Sequence, residues 1–205
     1  MRKNIKLVLF DLDGVIFDTK TNMKMSWQKV QKVFNIKNSF NSYFKHIGLP
    51  FHVILKKLRI KGKINKINET YRKESIKKIN NIKLYPGVKK TLEALNKRKI
   101  KLGIVTSKDR IRTLRLIKKF KVKISLVVSP SKKLRGKPYP DQLLKAMKIS
   151  KINSSKTIYV GDMFVDYKAA KNSSIGFVHT RYGYGKKKSL YKYSIGKFKD
   201  LSKII

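Results

Sequence analysis

Carboxylates are scarce in this chain, and where they fall constrains its fold more than any other feature. Only 11 of the 205 residues are acidic, and five of those stand in two short glycine-containing stretches, Asp11, Asp13 and Asp18 in DLDGVIFDT and Asp162 and Asp166 in VGDMFVD. Each stretch follows a short apolar run rich in β-branched residues, Ile5 to Phe10 and Thr157 to Val160, the pattern of strands buried on both faces of a parallel sheet. Aspartate beside glycine also suits an ordinary tight turn. Two such clusters at two strand ends point further, to a carboxylate site along one edge of a sheet, where α/β proteins hold cations and phosphates.

The remaining pattern alternates strand and helix with one interruption. Leu102 to Thr106, Ile124 to Val128, Thr157 to Val160 and Gly176 to His179 read as strands. Helices are predicted from Pro86 through Lys99, Arg110 to Phe120, Pro140 through Ile149 and Phe164 to Lys171. Repeated βα units of this length imply a parallel sheet with helices on both faces. The interruption, residues 20–81, carries helical periodicity in Met23 to Phe34, Phe51 to Leu58 and Ile64 to Ile79 and no strand pattern. We therefore expect an α/β core of residues 1–19 and 82–205 with an all-helical insertion between them. Asp18 and Thr19 are the expected hinge into it, Trp27 is expected in its core, and Arg181 to Lys188 reads as a surface loop.

Composition excludes several chemistries. There is no cysteine, so disulfides, thiolate metal sites and a cysteine nucleophile are ruled out. The N-terminus shows no apolar stretch of signal or membrane length, and the expectation is a soluble, cytoplasmic protein. A formal charge of +41 suggests attraction to polyanions, yet the 52 basic residues are 43 lysines and nine arginines spread along the whole chain. No arginine-rich tail or aromatic RNA-binding signature accompanies them, so dedicated nucleic-acid binding is not expected, only weak polyanion attraction at low salt. The histidines show no metal spacing.

Four segments, DLDGVIFDT, IVTSK, GKPYPD and VGDMFVD, in that order and each near a strand end, resemble the four motifs of the haloacid dehalogenase superfamily. The position of the insertion resembles the small helical cap of its phosphoglycolate phosphatase and β-phosphoglucomutase group, and KHIGLP and YPGVKKTLEALNKRKIKLGIVTSK are similar to the phosphoglycolate phosphatase branch in particular. The resemblance implies a Rossmann-like, doubly wound core and a Mg²⁺-dependent phosphatase acting on a small phosphorylated metabolite through an aspartyl-phosphate. Asp11 would be the nucleophile and Asp13 the general acid and then base. The Asp11 carboxylate, the Asp13 carbonyl and the Asp162 carboxylate would hold Mg²⁺. Thr106 and Lys137 would bind the phosphoryl group, Thr106 capping the next helix as well, and Asp166 would orient Lys137 or a metal-bound water. Gly48, Leu49, Pro50 and His52 of the cap would face substrate, with His46 a lesser candidate beside a surface role. A phosphosugar mutase on the same chemistry and a basic nucleic-acid-binding module on the same fold are the alternatives.

Overall fold

The computed structural model describes residues 4–131, 133–186 and 188–205. Met1 to Lys3 of the polar N-terminus and Lys187 of the expected surface loop lie outside them. The chain opens with β1 (Leu7–Phe10) and β2 (Phe17–Asp18), followed by helices α1 (Lys20–Phe34), α2 (Phe40–Phe44), α3 (Phe51–Lys57) and α4 (Ile64–Lys77). It then continues through β3 (Lys83–Leu84), α5 (Val88–Lys97), β4 (Lys101–Val105), α6 (Arg110–Phe120) and β5 (Leu126–Val128). The last part comprises α7 (Asp141–Ser150), β6 (Thr157–Gly161), α8 (Phe164–Asn172), β7 (Gly176–Thr180) and β8 (Ser194–Ile195), with a closing 3₁₀ segment, Phe198–Lys203.

Six strands form one parallel sheet in the order β5-β4-β1-β6-β7-β8. All four residues of β1 are buried because both faces of the sheet are covered. The two-residue period of a strand divides its side chains: Val8 and Phe10 join a cluster with Leu92 of α5, Leu116 of α6 and Phe198, whereas Leu7 and Leu9 join Leu143 of α7 and Ala169 of α8. This is a doubly wound, Rossmann-like α/β fold. Gly103 of β4 pairs with Leu9, and a Cβ there would lie 2.8 Å from the Leu9 side chain, so glycine admits the larger neighbour.

The helical segment has its own core, in which Trp27 is fully buried, stacks on Tyr43 at 4.6 Å and donates its indole N–H to the Asn38 carbonyl at 3.0 Å. An aromatic pair of this kind contributes about 0.5–1.5 kcal/mol beyond the area it buries. Its two chain passages are tied together by an antiparallel ribbon in which Phe17 pairs with Leu84 and Asp18 with Lys83. That ribbon, the short helix α2 and the edge strand β8 were not expected, because two- to five-residue elements leave no measurable periodicity. Among the described residues no helix is long and apolar enough to cross a membrane.

Candidate active site

The sheet's chain order reverses at β1: β4 lies on one side of it and β6 on the other, which opens a crevice beyond the carboxyl ends of these strands. Asp11 follows β1, Thr106 follows β4, Asp162 follows β6 and Lys137 lies in the loop after β5. The register of the ladders brings them together, for Phe10 pairs with both Ile104 and Val160, and the Asp11 N–H continues the ladder to the Val160 carbonyl at 2.9 Å.

Lys137 is the centre of this group. It is 2% exposed, and its Nζ stands 2.9 Å from Asp11 Oδ1, 2.6 Å from Asp166 Oδ1 and 3.3 Å from the Tyr159 hydroxyl. Burial opposes the lysine charge, but Asp11 and Asp166 outweigh it and hold the proton more firmly than in water. Asp166 is saturated: its Oδ2 also accepts from the N–H groups of Asp162 at 3.2 Å and Met163 at 2.9 Å, closing the first turn of α8.

Asp11, Asp162 and Asp166 each offer an oxygen within 4.8 Å of the others, and all three are buried. Burial pushes the Asp11 carboxyl up to about 7, against the pull of Lys137 and with the repulsion of Asp166 and Asp13 added. Burial likewise raises Asp162, and Asp166 and Asp11 raise it further. Asp162 Oδ2 accepts the Tyr184 N–H at 2.6 Å, whereas its Oδ1 is buried and has no hydrogen-bond partner among the described residues. An orphaned carboxylate oxygen in a crowded acidic cluster with one lysine fits a bound divalent cation, which prefers oxygen ligands. Asp166 fits that role less well, since Lys137 and two amides already occupy its oxygens.

Asp13 occupies the other side. Gly14, at φ +86°, turns the chain sharply after it, and a Cβ at that position would meet Asp162 Oδ2 at 2.4 Å. Asp13 Oδ1 accepts from Thr19 Oγ1 at 2.7 Å, and its Oδ2 pairs with Lys108 Nζ at 3.2 Å. Lys108 is buried, and that burial lowers its proton affinity against the opposing charge of Asp13. Thr106 is also buried, and its hydroxyl accepts from the Lys108 N–H at 3.1 Å. It does not cap the following helix; Asp109 does, its Oδ1 taking the Arg112 N–H at 3.1 Å.

The helical segment closes over this site. Ser107 Oγ donates to the Gly48 carbonyl at 2.7 Å, Gly136 lies where a Cβ would come 2.4 Å from Pro50 Cγ, and Gly48 packs on Met163 and Val165. A cavity of about 50 Å³ remains, lined by Asp11, Asp13, Thr106, Lys108, Lys137 and Arg112 from the core and by Tyr43, Gly48, Leu49 and Tyr71 from the helices. Gly48 and Leu49 therefore line the cavity, Pro50 abuts the Gly136 loop outside the cavity lining, and His52 is exposed and lies outside that lining as well. His46 is also absent from the lining.

Several residues at the site escaped sequence reading. Lys108 is one of 43 lysines, and its place at the end of the IVTSK segment was the available signal. Arg112, whose guanidinium pairs with Asp109 at 2.5 Å and lies 5.3 Å over the Tyr71 ring, is a helix residue like any other by pattern. Tyr184 sits in the stretch expected to be a surface loop; instead it contacts Asp162, and its hydroxyl donates to Asp18 Oδ1 at 3.0 Å and accepts from the Thr19 N–H at 2.6 Å. Glycines on both sides of it were the available signal. His179, read as isolated, places Nε2 3.2 Å from the Asp162 carbonyl.

Comparison with known proteins gives the same direction. Residues 8–180 match the family model of haloacid dehalogenase-like hydrolases. The chain is 30% identical over 179 residues to the pyrophosphatase PpaX of Oceanobacillus iheyensis, covering 84% of this chain and 81% of that one. It is 26% identical to the phosphoglycolate phosphatase of Aquifex aeolicus, over 98% and 97% of the two chains. A crystal structure of a predicted phosphatase from Clostridium acetobutylicum superposes with a TM-score of 0.87 at 23% identity, covering 98% of each chain, and so shares the fold.

Proposed function

The chain belongs to the haloacid dehalogenase-like hydrolases, and from that premise we propose that this phosphatase hydrolyses a small phosphorylated metabolite bearing a second anionic group, phosphoglycolate-like in character, through an aspartyl-phosphate on Asp11. The observation that carries the reading is the buried Lys137 held between Asp11 and Asp166 beside an Asp162 oxygen that has no hydrogen-bond partner among the described residues. Such a cluster suits a cation and a phosphoryl group brought together.

Mg²⁺ held by the carboxylates of Asp11 and Asp162 and the Asp13 carbonyl would supply positive charge that offsets the repulsion between a carboxylate and a phosphate dianion. The rest follows from the chain's own residues. Asp11 attacks phosphorus, the bond to the leaving oxygen breaks, and Asp13 gives that oxygen its proton. Water then attacks the aspartyl-phosphate while Asp13 takes the water's proton, returning the Asp11 carboxylate and releasing phosphate. Thr106 and Lys137 hold the phosphoryl oxygens, and Asp166 keeps Lys137 charged and in place.

Residues 20–81 act as the cap and residues 1–19 and 82–205 as the core that carries the chemistry. The small cavity with Lys108 and Arg112 in its lining supports a compact substrate with a second negative charge over a bulky neutral sugar. A screen of phosphorylated metabolites with Mg²⁺ and with EDTA tests the reading. Mg²⁺-dependent release of phosphate, strongest for substrates with a carboxylate or second phosphate, is expected. Full activity in excess EDTA, or in Asp11→Asn, would overturn it.

A further inference from the structure

We propose that Tyr184 is a positioning residue that couples the cation ligand Asp162 to the hinge of the cap. This rests on the reading of Asp162 as a ligand given above, and it concerns a residue outside the four sequence motifs. The backbone of Tyr184 does one task and its side chain another. Its N–H holds Asp162 Oδ2 at 2.6 Å, leaving Oδ1 as the oxygen without a partner among the described residues. Close approach of this strap to Asp162 depends on its glycines. A Cβ at Gly183 would lie 2.3 Å from Asp162 Cβ, and one at Gly185 would lie 2.0 Å from the Asp162 carbonyl oxygen, contacts with rigid groups that no side-chain motion relieves.

From there the side chain crosses to the hinge. The hydroxyl accepts from the Thr19 N–H at 2.6 Å and donates to Asp18 Oδ1 at 3.0 Å, while Thr19 Oγ1 donates to Asp13 Oδ1 at 2.7 Å. The ring packs on Phe44 of α2, with centroids 5.3 Å apart. A single residue thus touches the cation ligand, both hinge residues and the cap, and through Thr19 it is one hydrogen bond from Asp13. Motion of Thr19 as the cap opens must either break the bond to the hydroxyl or drag the strap that seats Asp162. Linkage is reciprocal, so fixing Asp162 with a cation must also tighten the hinge.

Hydrogen exchange of peptides spanning residues 17–22, with and without Mg²⁺, measures this directly, alongside calorimetric titration of Mg²⁺. In the wild type, Mg²⁺ should slow exchange at the hinge by about fivefold or more, the lower end of ordinary coupling between sites. Tyr184→Phe keeps the backbone N–H and the ring. It should still bind Mg²⁺, several-fold more weakly, while hinge exchange becomes indifferent to the metal. Asp18→Ala, at an exposed position, removes the hydroxyl's acceptor and should reduce the coupling in the same direction. Equal metal-dependent protection in the wild type and Tyr184→Phe would overturn the coupling. A wild type that hydrolyses phosphate esters with Mg²⁺ yet shows no metal effect at the hinge would overturn it alone; one that neither binds Mg²⁺ nor turns over would overturn the site reading as well.

Discussion

Lys137 shows how strongly one side chain can depend on its partners. Removing one member of a buried charge cluster leaves the others unpaired, at a cost of about 3–5 kcal/mol. Lys137→Ala should therefore melt well below the wild type in EDTA, and Mg²⁺ should restore part of the difference; an unchanged melting temperature in EDTA would contradict the central place given to this lysine. Asp13 is tested by leaving group. A general acid matters for an alkoxide and little for p-nitrophenolate, which departs as a stable anion. Asp13→Asn should depress formation of the aspartyl-phosphate far more with an alkyl phosphate than with p-nitrophenyl phosphate in single-turnover measurements. It should also accumulate the intermediate from the activated substrate. Equal losses for both substrates would remove Asp13 from the acid role.

At the level of elements, α6 and the cap loop are the parts whose function depends on docking. Asp109 caps α6 and pairs with Arg112 and, at 3.5 Å, with Arg72 of α4, so it links the core helix to the cap. Burial opposes its ionisation, but the Arg112 charge and N–H groups, aided by Arg72, hold its carboxyl below the ordinary 3.8. A depressed carboxyl contributes stability that is present above the unfolded value and lost as pH falls through the folded one. The melting-temperature advantage of wild type over Asp109→Asn should accordingly be constant from pH 6 to 5 and shrink below about pH 4. An advantage that persists unchanged at pH 2 would contradict this. The cap loop gives a second test. Leu49→Trp should alter relative rates among substrates, the smallest phosphate esters being least affected, while His52→Ala, at an exposed position, should leave the substrate profile unchanged.

For the whole molecule, the charge balance is the conspicuous property. Asp11, Asp162 and Asp166 are buried and Asp13 is largely enclosed, so seven of the 11 acids remain to offset 52 basic residues, of which Lys108, Arg112 and Lys137 are themselves buried. A field of this sign predicts weak binding to DNA and RNA alike, with affinity falling steeply as salt rises through counterion release. A fluorescence anisotropy titration across salt concentrations checks it. Sequence-selective binding that survives physiological ionic strength would favour a nucleic-acid-binding role for the chain.

The sheet and the carboxylate clusters were legible in the sequence because both are local signals. Buried strands such as Leu7–Phe10 are apolar without interruption, and aspartates at the ends of two of them must share one edge if the strands are parallel. The order of motifs carried the family resemblance for the same reason. Tertiary structure alone decided which of the remaining polar residues meet the site. Arg112 and Tyr184 are unremarkable by pattern, and they reach the cavity or its ligands only because helices and loops far apart in the chain pack against the crevice. His52 illustrates the converse, a residue close in sequence to the cap loop whose side chain faces solvent. Periodicity records which face of an element is buried; it does not record what other element lies against that face.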